Sequence, residues 1–397
     1  MTFEEIKQIE SDFQLATYAK MAIAVERGAG AWVWTSDGQR YLDLYGGHAV
    51  CATGHSHPHV VRAIQEQAEK LLFYSNLVYS EVRAKAAQKL VSVAPASLSR
   101  AFFCNSGTEA NENAMRIARM ATGREKIISF TGGFHGRTAD SISATFLGKY
   151  REIGEPNVPG HVAAEFGDLA GVSSCADGET AAIIIEPIQS MAGVREASPT
   201  FFVKLRELCN RLGIVLIFDE VQTGIGRTGN WFFARSEFAG GIEPDIITLA
   251  KSLGSGVPVG ACLVNEAVSR NIRLNDLGTT FGGGMLAMAA VIATIEAIEN
   301  DAMIENAKAV ESHLRSRLAG APGVVAIHGK GCLLGIKCDK PVGPLHAKLL
   351  ESNIITGTSS DPKVLRLLPP LSVTCDEIDL FVNVIKMQCE RVDSGHS

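Results

Sequence analysis

From residue 101 to residue 264 the chain repeats one pattern: a short, nearly all-apolar run, then a longer segment whose apolar positions recur at helical spacing. The short runs are Ala101–Cys104, Lys126–Phe130, Ala181–Glu186, Ile214–Glu220, Ile246–Ala250 and Ala261–Val264, and they predict strands. Between them, Glu109–Ala121 and Pro199–Leu212 carry the period of amphipathic helices. Strands apolar on both faces, separated by helices, predict a mostly parallel sheet covered on each side. Ligands on such sheets sit beyond the carboxyl ends of the strands, so candidate chemistry is sought there.

The flanks read differently. A long helical stretch over Met285–Glu299 is followed by a further helix, short strands at Val324–His328 and Leu333–Cys338, and a final helix after Leu365–Pro370. Near the start, Trp32–Trp34 and Arg40–Asp43 form a predicted hairpin about Asp37-Gly38. The expected organisation is a large α/β domain over residues 50–285. A smaller α+β domain is built from residues 1–49 and 286–397. No repeat or Pro/Ser-rich linker separates them.

Composition narrows the class. With 43 acidic against 37 basic residues and a net charge of −6, the chain lacks the clustered basic surface of a nucleic-acid binder. No apolar stretch approaches the ~18 residues of a membrane span. The acidic, apolar-poor opening does not resemble a secretory signal. Nine scattered cysteines (51, 104, 175, 209, 262, 332, 338, 375, 389) without a Cys-x-x-Cys pair read as reduced thiols. The expectation is a cytoplasmic protein.

Three features fall at predicted strand ends. Ser106-Gly107-Thr108 follows a strand and opens a helix, offering free N–H groups, hydroxyls and a positive dipole end to a phosphate. The competing reading is simple helix capping by Ser106 or Thr108. Asp219-Glu220 ends an apolar strand, where a carboxylate can hold a cationic group such as a protonated pyridine nitrogen; magnesium binding or solvation is the competing reading. Lys251 ends another apolar strand before a Ser-Leu-Gly-Ser-Gly loop, where apolar surroundings would favour the nucleophilic free amine; the bland reading is a surface lysine. Together, phosphate cup, strand-end aspartate and strand-end lysine are the fixtures that pyridoxal 5'-phosphate (PLP) requires.

The same residues lie within motifs that resemble the class III aminotransferases of PLP fold type I, the aspartate aminotransferase-like fold, and among them the acetylornithine aminotransferases. The motifs are Asn105–Asn111, Phe134-His135-Gly136-Arg137-Thr138, Glu186-Pro187-Ile188-Gln189 and Phe218–Gly229. They continue with Thr248-Leu249-Ala250-Lys251, Gly278–Gly283 and Leu365–Leu371. The resemblance implies that Lys251 carries the cofactor and shuttles the proton, that Asp219 pairs with the pyridine nitrogen, and that Gln222 lies near the ring hydroxyl. It implies phosphate binding by Gly107 and Thr108, with Thr280 supplied by the other subunit of a homodimer, and stacking by Phe134. Arg137 and Arg366 are the implied carboxylate anchors. The implied reaction moves an ω-amine, with N2-acetylornithine the leading donor, to 2-oxoglutarate. Ornithine, succinylornithine, 4-aminobutyrate and a lysine-pathway amine compete as donors. A same-fold aminomutase, racemase or decarboxylase, or a non-catalytic PLP-binding protein, are the rival classes.

Two departures stand out. Relatives commonly continue Glu-Pro-Ile-Gln with Gly-Glu-Gly-Gly, whereas Ser190-Met191-Ala192-Gly193 stands here. The missing acid is the one implied to pair with the arginine matched by Arg366. Gly284-Met285 replaces a common Asn-Pro. Two motifs are decoys. Gly224-Ile225-Gly226-Arg227-Thr228-Gly229 matches a dinucleotide fingerprint, but Asn230–Ala234 shows no helix start. His55, His57 and His59 surround a helix start at Pro58 and diverge, which predicts solvated or capping histidines rather than a metal site.

Overall fold

The computed structural model describes residues 1–393, with side chains through residue 387; the side chain of Cys389 lies outside the described residues. Its centre is a seven-stranded sheet in the order Leu98–Cys104, Gly260–Asn265, Ile246–Leu249, Val215–Asp219, Thr180–Ile185, Lys126–Phe130 and His161–Ala164. The pairings are parallel except at Gly260–Asn265, which runs antiparallel to both neighbours. Thr180–Ile185, Val215–Asp219 and Ile246–Leu249 are buried at every position, as strands covered on both faces must be.

The predicted strands and helices form with small shifts at their ends. Lys126–Phe130 and Pro199–Leu212 match their predicted limits; the helix at Glu109–Ala121 begins earlier, at Gly107, and ends at Thr122. Ser106 is its N-cap and Gly123, left-handed at φ 68°, its C-cap. His161–Ala164 is an additional edge strand. It is short and half-buried, and so lacks the apolar run that marks the others.

The amino-terminal hairpin, Trp32–Thr35 against Arg40–Asp43, takes Ile354–Ile355 as a parallel partner, which ties the opening segment to the carboxyl region. A second four-stranded sheet holds Val324–Lys330, Leu333–Cys338, Val364–Leu367 and Gly357–Thr358. Helix Met285–Asn300 packs on helices Pro58–Lys70 and Glu81–Val93. Met285 is buried, and its Sδ accepts the backbone N–H of Tyr74 at 3.1 Å. No helix of the described residues is long and apolar enough to cross a membrane.

Candidate active site

The strands deliver their chemistry at one edge. A cavity of about 300 Å³ opens at their carboxyl ends, lined by Gly107, Thr108, Phe134, Arg137, Asp219, Gln222 and Lys251, and also by Asn111, His135, Gly136, Glu186 and Val221. Segments more than a hundred residues apart in sequence thus meet around one ligand-sized space.

Asp219 is the last residue of its strand and is buried. Its Oδ2 accepts from Asn111 Nδ2 at 2.7 Å and bonds His135 Nδ1 at 2.8 Å, while Oδ1 accepts from the Val221 N–H at 3.1 Å. Thr248 in turn donates to Asn111 Oδ1 at 2.6 Å. The carboxylate is therefore clamped in orientation. Asn111 and His135 lay within quoted motifs, but nothing local in the sequence pointed them at Asp219.

Lys251 begins a single 3-10 turn with φ 43°, a left-handed conformation that costs a non-glycine residue about 1–3 kcal/mol and is found where structure overrides local preference. Its Nζ makes no hydrogen bond or ion pair among the described residues. Burial lowers its pKa to about 8, opposed by the carboxylates of Asp219 and Glu186 and aided by Arg366 and Arg227. The surface-lysine reading is thereby set aside. Burial raises Glu186 to about 7, and its Oε1 accepts the Phe134 N–H at 2.7 Å.

At another side of the cavity, Gly107 and Thr108 open the helix that begins there. Ser106 caps this helix, its hydroxyl accepting the Glu109 N–H at 3.2 Å, which leaves its own O–H free to donate. Thr108 Oγ1 bonds Thr138 Oγ1 at 2.6 Å. Gly136, at φ 141°, crosses this hydroxyl so closely that an added Cβ would lie 2.2 Å from Thr108 Oγ1. Gly136→Ala is expected to displace Thr108 and weaken cofactor retention by about tenfold or more, the scale of a 1–3 kcal/mol overpacking cost. Equilibrium binding of PLP to the cofactor-free protein, followed by fluorescence, checks it.

Arg366 and Thr280 stand apart from this cavity. Arg366, buried on strand Val364–Leu367, lines an adjoining space of about 410 Å³ with Tyr45, His48, Lys149, Tyr150 and Met191. Its Nε donates to Thr358 O at 2.7 Å, Nη1 to Ser190 Oγ at 3.1 Å and Nη2 to Tyr45 Oη at 2.8 Å. Among the described residues no carboxylate forms an ion pair with it. Arg137 is exposed and lies 4.7 Å from the centre of the Tyr150 ring, which also meets Phe134 edge-on at 5.5 Å. Thr280 is exposed in a separate groove with Asn76, Tyr79 and Arg83.

The two decoys resolve structurally. Residues 224–229 lead into turns and a 3-10 segment, with no helix opening among the glycines. His55, His57 and His59 bond three separate carboxylates, Asp43, Asp301 and Glu296, at 2.8, 3.0 and 2.8 Å. None of them caps the helix at Pro58 through its side chain.

The cavity suits PLP on its own terms. Asp219 is a fixed acceptor at its floor, buried Gln222 Oε1 has no partner, and the backbone at Gly107 leaves no room for a Cβ, which would lie 2.9 Å from Val221. A phosphate cradle, a buried strand-end carboxylate and a pocket lysine of lowered pKa define a PLP-dependent enzyme. The profile of the family "Aminotransferase class-III" matches residues 14–388, and the chain belongs to that family. It is 42% identical to the acetylornithine aminotransferase of Archaeoglobus fulgidus over 371 residues, covering 94% of this chain and 96% of the relative. The Methanopyrus kandleri acetylornithine aminotransferase is 40% identical over 377 residues, with 94% and 96% covered. The fold matches the crystal structure of the ornithine aminotransferase from Toxoplasma gondii with a TM-score of 0.92, at 27% identity over 100% of this chain and 97% of that one. The acetylornithine aminotransferase structure from Elizabethkingia anophelis matches at 0.85 and 28%, over 98% and 100%.

Proposed function

We propose that the protein transfers the ω-amine of N2-acetylornithine to 2-oxoglutarate, giving N-acetylglutamate 5-semialdehyde and glutamate, a step of arginine synthesis. The observation that carries this reading is the state of Arg366. A guanidinium has five N–H donors. Three are used by neutral oxygens of the protein, and one remains on each terminal nitrogen, the fork that a carboxylate accepts in bidentate fashion. Arg137, at the mouth of the neighbouring cavity, supplies a second anchor. Two anchors suit 2-oxoglutarate and glutamate, and they disfavour a racemase or decarboxylase, which needs no dicarboxylate partner. Similarity to acetylornithine aminotransferases supports the donor.

When bound, PLP supplies an electron sink beside the carbon that loses its proton. Lys251 is the residue that would hold it covalently, and afterwards its Nζ, with a pKa near 8, takes and returns that proton. Asp219, whose Oδ1 retains a free lone pair, would hold the protonated ring nitrogen, and Gln222 would approach the ring hydroxyl. Gly107 and Thr108 would bind the phosphate, and Phe134 would cover the ring.

The same proposal includes a homodimer that brings Thr280 to the partner's phosphate site. In its support, exposed Leu77 and Tyr79 line a cavity of about 1110 Å³ together with Thr280, and Leu72, Leu274 and Phe281 are exposed in the same chain segments. It includes the division of the chain into residues 50–285 against 1–49 with 286–397, and a cytoplasmic location.

The test is a half-reaction. N2-acetylornithine added to PLP-loaded protein without a keto acid should release about one equivalent of aldehyde per protomer, quantified by mass spectrometry. Release from ornithine or 4-aminobutyrate but not from N2-acetylornithine would remove that donor. Met191 lines the Arg366 space where relatives place an acid. Met191→Glu is expected to close the fork and to move the ratio of kcat/KM for ω-amine over α-amino donors by about tenfold toward the ω-amine, the size of one charge-assisted contact. An unchanged ratio would remove this account of Met191.

A further inference from the structure

Between the hairpin and helix Pro58–Lys70 the backbone does something the sequence does not announce. Gly46, Gly47, His48 and Ala49 have φ of 56°, 58°, 70° and 62°, a complete left-handed turn. Two of these residues carry side chains, and each pays a conformational cost that the surroundings must override. The turn is anchored by Asp43, whose Oδ1 accepts the N–H groups of Tyr45 and Gly46 at 2.8 and 2.9 Å. Its result is to turn the His48 imidazole into the space that holds Arg366.

The hydrogen bonds around Tyr45 favour one tautomer of His48. Arg366 can only donate, so Tyr45 Oη accepts from it at 2.8 Å. In the arrangement that gives each of these groups one donor and one acceptor, Tyr45 donates its own proton to its other neighbour, His48 Nδ1, 2.7 Å away. Nδ1 is thereby an acceptor, and the imidazole proton sits on Nε2. Nε2 makes no hydrogen bond among the described residues and is not sealed from the cavity. The ring is also held neutral: burial first, and then the charges of Lys251, Arg366 and Arg137, lower the pKa of His48 to about 3. His48 is therefore a permanent neutral donor, one hydroxyl removed from an unpaired guanidinium.

We propose that His48 is a specificity-determining residue of the transamination, its Nε2–H donating to the substrate carboxylate that Arg366 binds. A carboxylate has about four lone-pair sites, and the free fork of Arg366 occupies two. Beside the buried guanidinium the third donor raises affinity for carboxylate-bearing substrates without adding a second charge that would repel Arg366. This inference rests on the reading of Arg366 as an anchor.

The test separates the two. Glutarate, an unreactive dicarboxylate, is titrated calorimetrically into the PLP-loaded wild type and into Arg366→Lys, His48→Asn and His48→Gln. Asparagine tolerates a left-handed φ and places its amide at the Nδ1 position, keeping Tyr45 satisfied while removing the distal donor. Glutamine restores an N–H at the distance of Nε2. Expected results are a loss of glutarate affinity of about tenfold in His48→Asn, the same rise in KM for 2-oxoglutarate with kcat within about threefold, and affinity within about threefold of wild type in His48→Gln. Wild-type affinity in His48→Asn, or equal loss in both variants, overturns the role of His48 as donor while leaving the anchor in place. Glutarate binding that is indifferent to Arg366→Lys overturns the anchor itself, and the inference with it.

Discussion

Lys251→Met is expected to lower kcat by about 10⁴-fold or more, the upper range for a positioned acid–base group, and here the same side chain is also the proposed covalent anchor. Methionine matches the length of the lysine stem but can neither hold the cofactor nor move a proton. Borohydride reduction should fix PLP on the Lys251 peptide of the wild type and on no peptide of the variant. Stability gives an independent readout. Lys251 has a pKa near 8 when folded against 10.5 as an ordinary lysine. Between those values the unfolded chain holds the proton and the folded chain does not. Cofactor-free wild type should therefore gain stability as pH rises through this window, relative to Lys251→Met, whereas below pH 8 the folded state carries the full penalty of a buried charge. A thermal melting difference that does not change between pH 8 and 10.5 would place Lys251 in contact with water.

Asp219→Asn is expected to cost about 10²–10³-fold in kcat/KM for the amine donor and the keto acid alike, the scale of losing one preorganised electrostatic contact. Two effects combine. The amide cannot hold a cationic ring nitrogen, and it cannot satisfy the donors now meeting the carboxylate. Asn111 and His135 converge on Oδ2 while the Val221 N–H occupies Oδ1, so one side of an asparagine would present N–H to N–H. Steady-state kinetics with each substrate varied separately checks it. A loss confined to one substrate would point to a binding contact rather than to the ring.

Much of the cavity lining was legible because apolar strands in this fold end at one edge. Asp219 and Lys251 each close a run of buried residues, and Gly107 opens a helix directly after the strand that ends at Cys104. What could not be read are contacts made across long separations. The bond of Asn111 to Asp219 spans 108 positions and that of Arg366 to Ser190 spans 176. The reversed direction of Gly260–Asn265 leaves no trace in its apolar run, since a strand and its reverse bury the same residues. Ser106 shows how one residue can carry both readings: its hydroxyl caps the helix as an acceptor and keeps a proton to donate.

The sequence by itself determined the alternation of strands and helices, the covered sheet and the residues at its carboxyl edge, because hydrophobic period and capping are local properties of the chain. Only the tertiary structure decided that Arg366 keeps an N–H free on each terminal nitrogen, that Lys251 is half-buried near Asp219 and Glu186, and that His48 turns through a left-handed backbone into the space that Arg366 lines. These depend on which distant groups share a low-dielectric pocket. Burial and pairing there shift a lysine to about 8 and a histidine to about 3, and no neighbour in sequence carries that information.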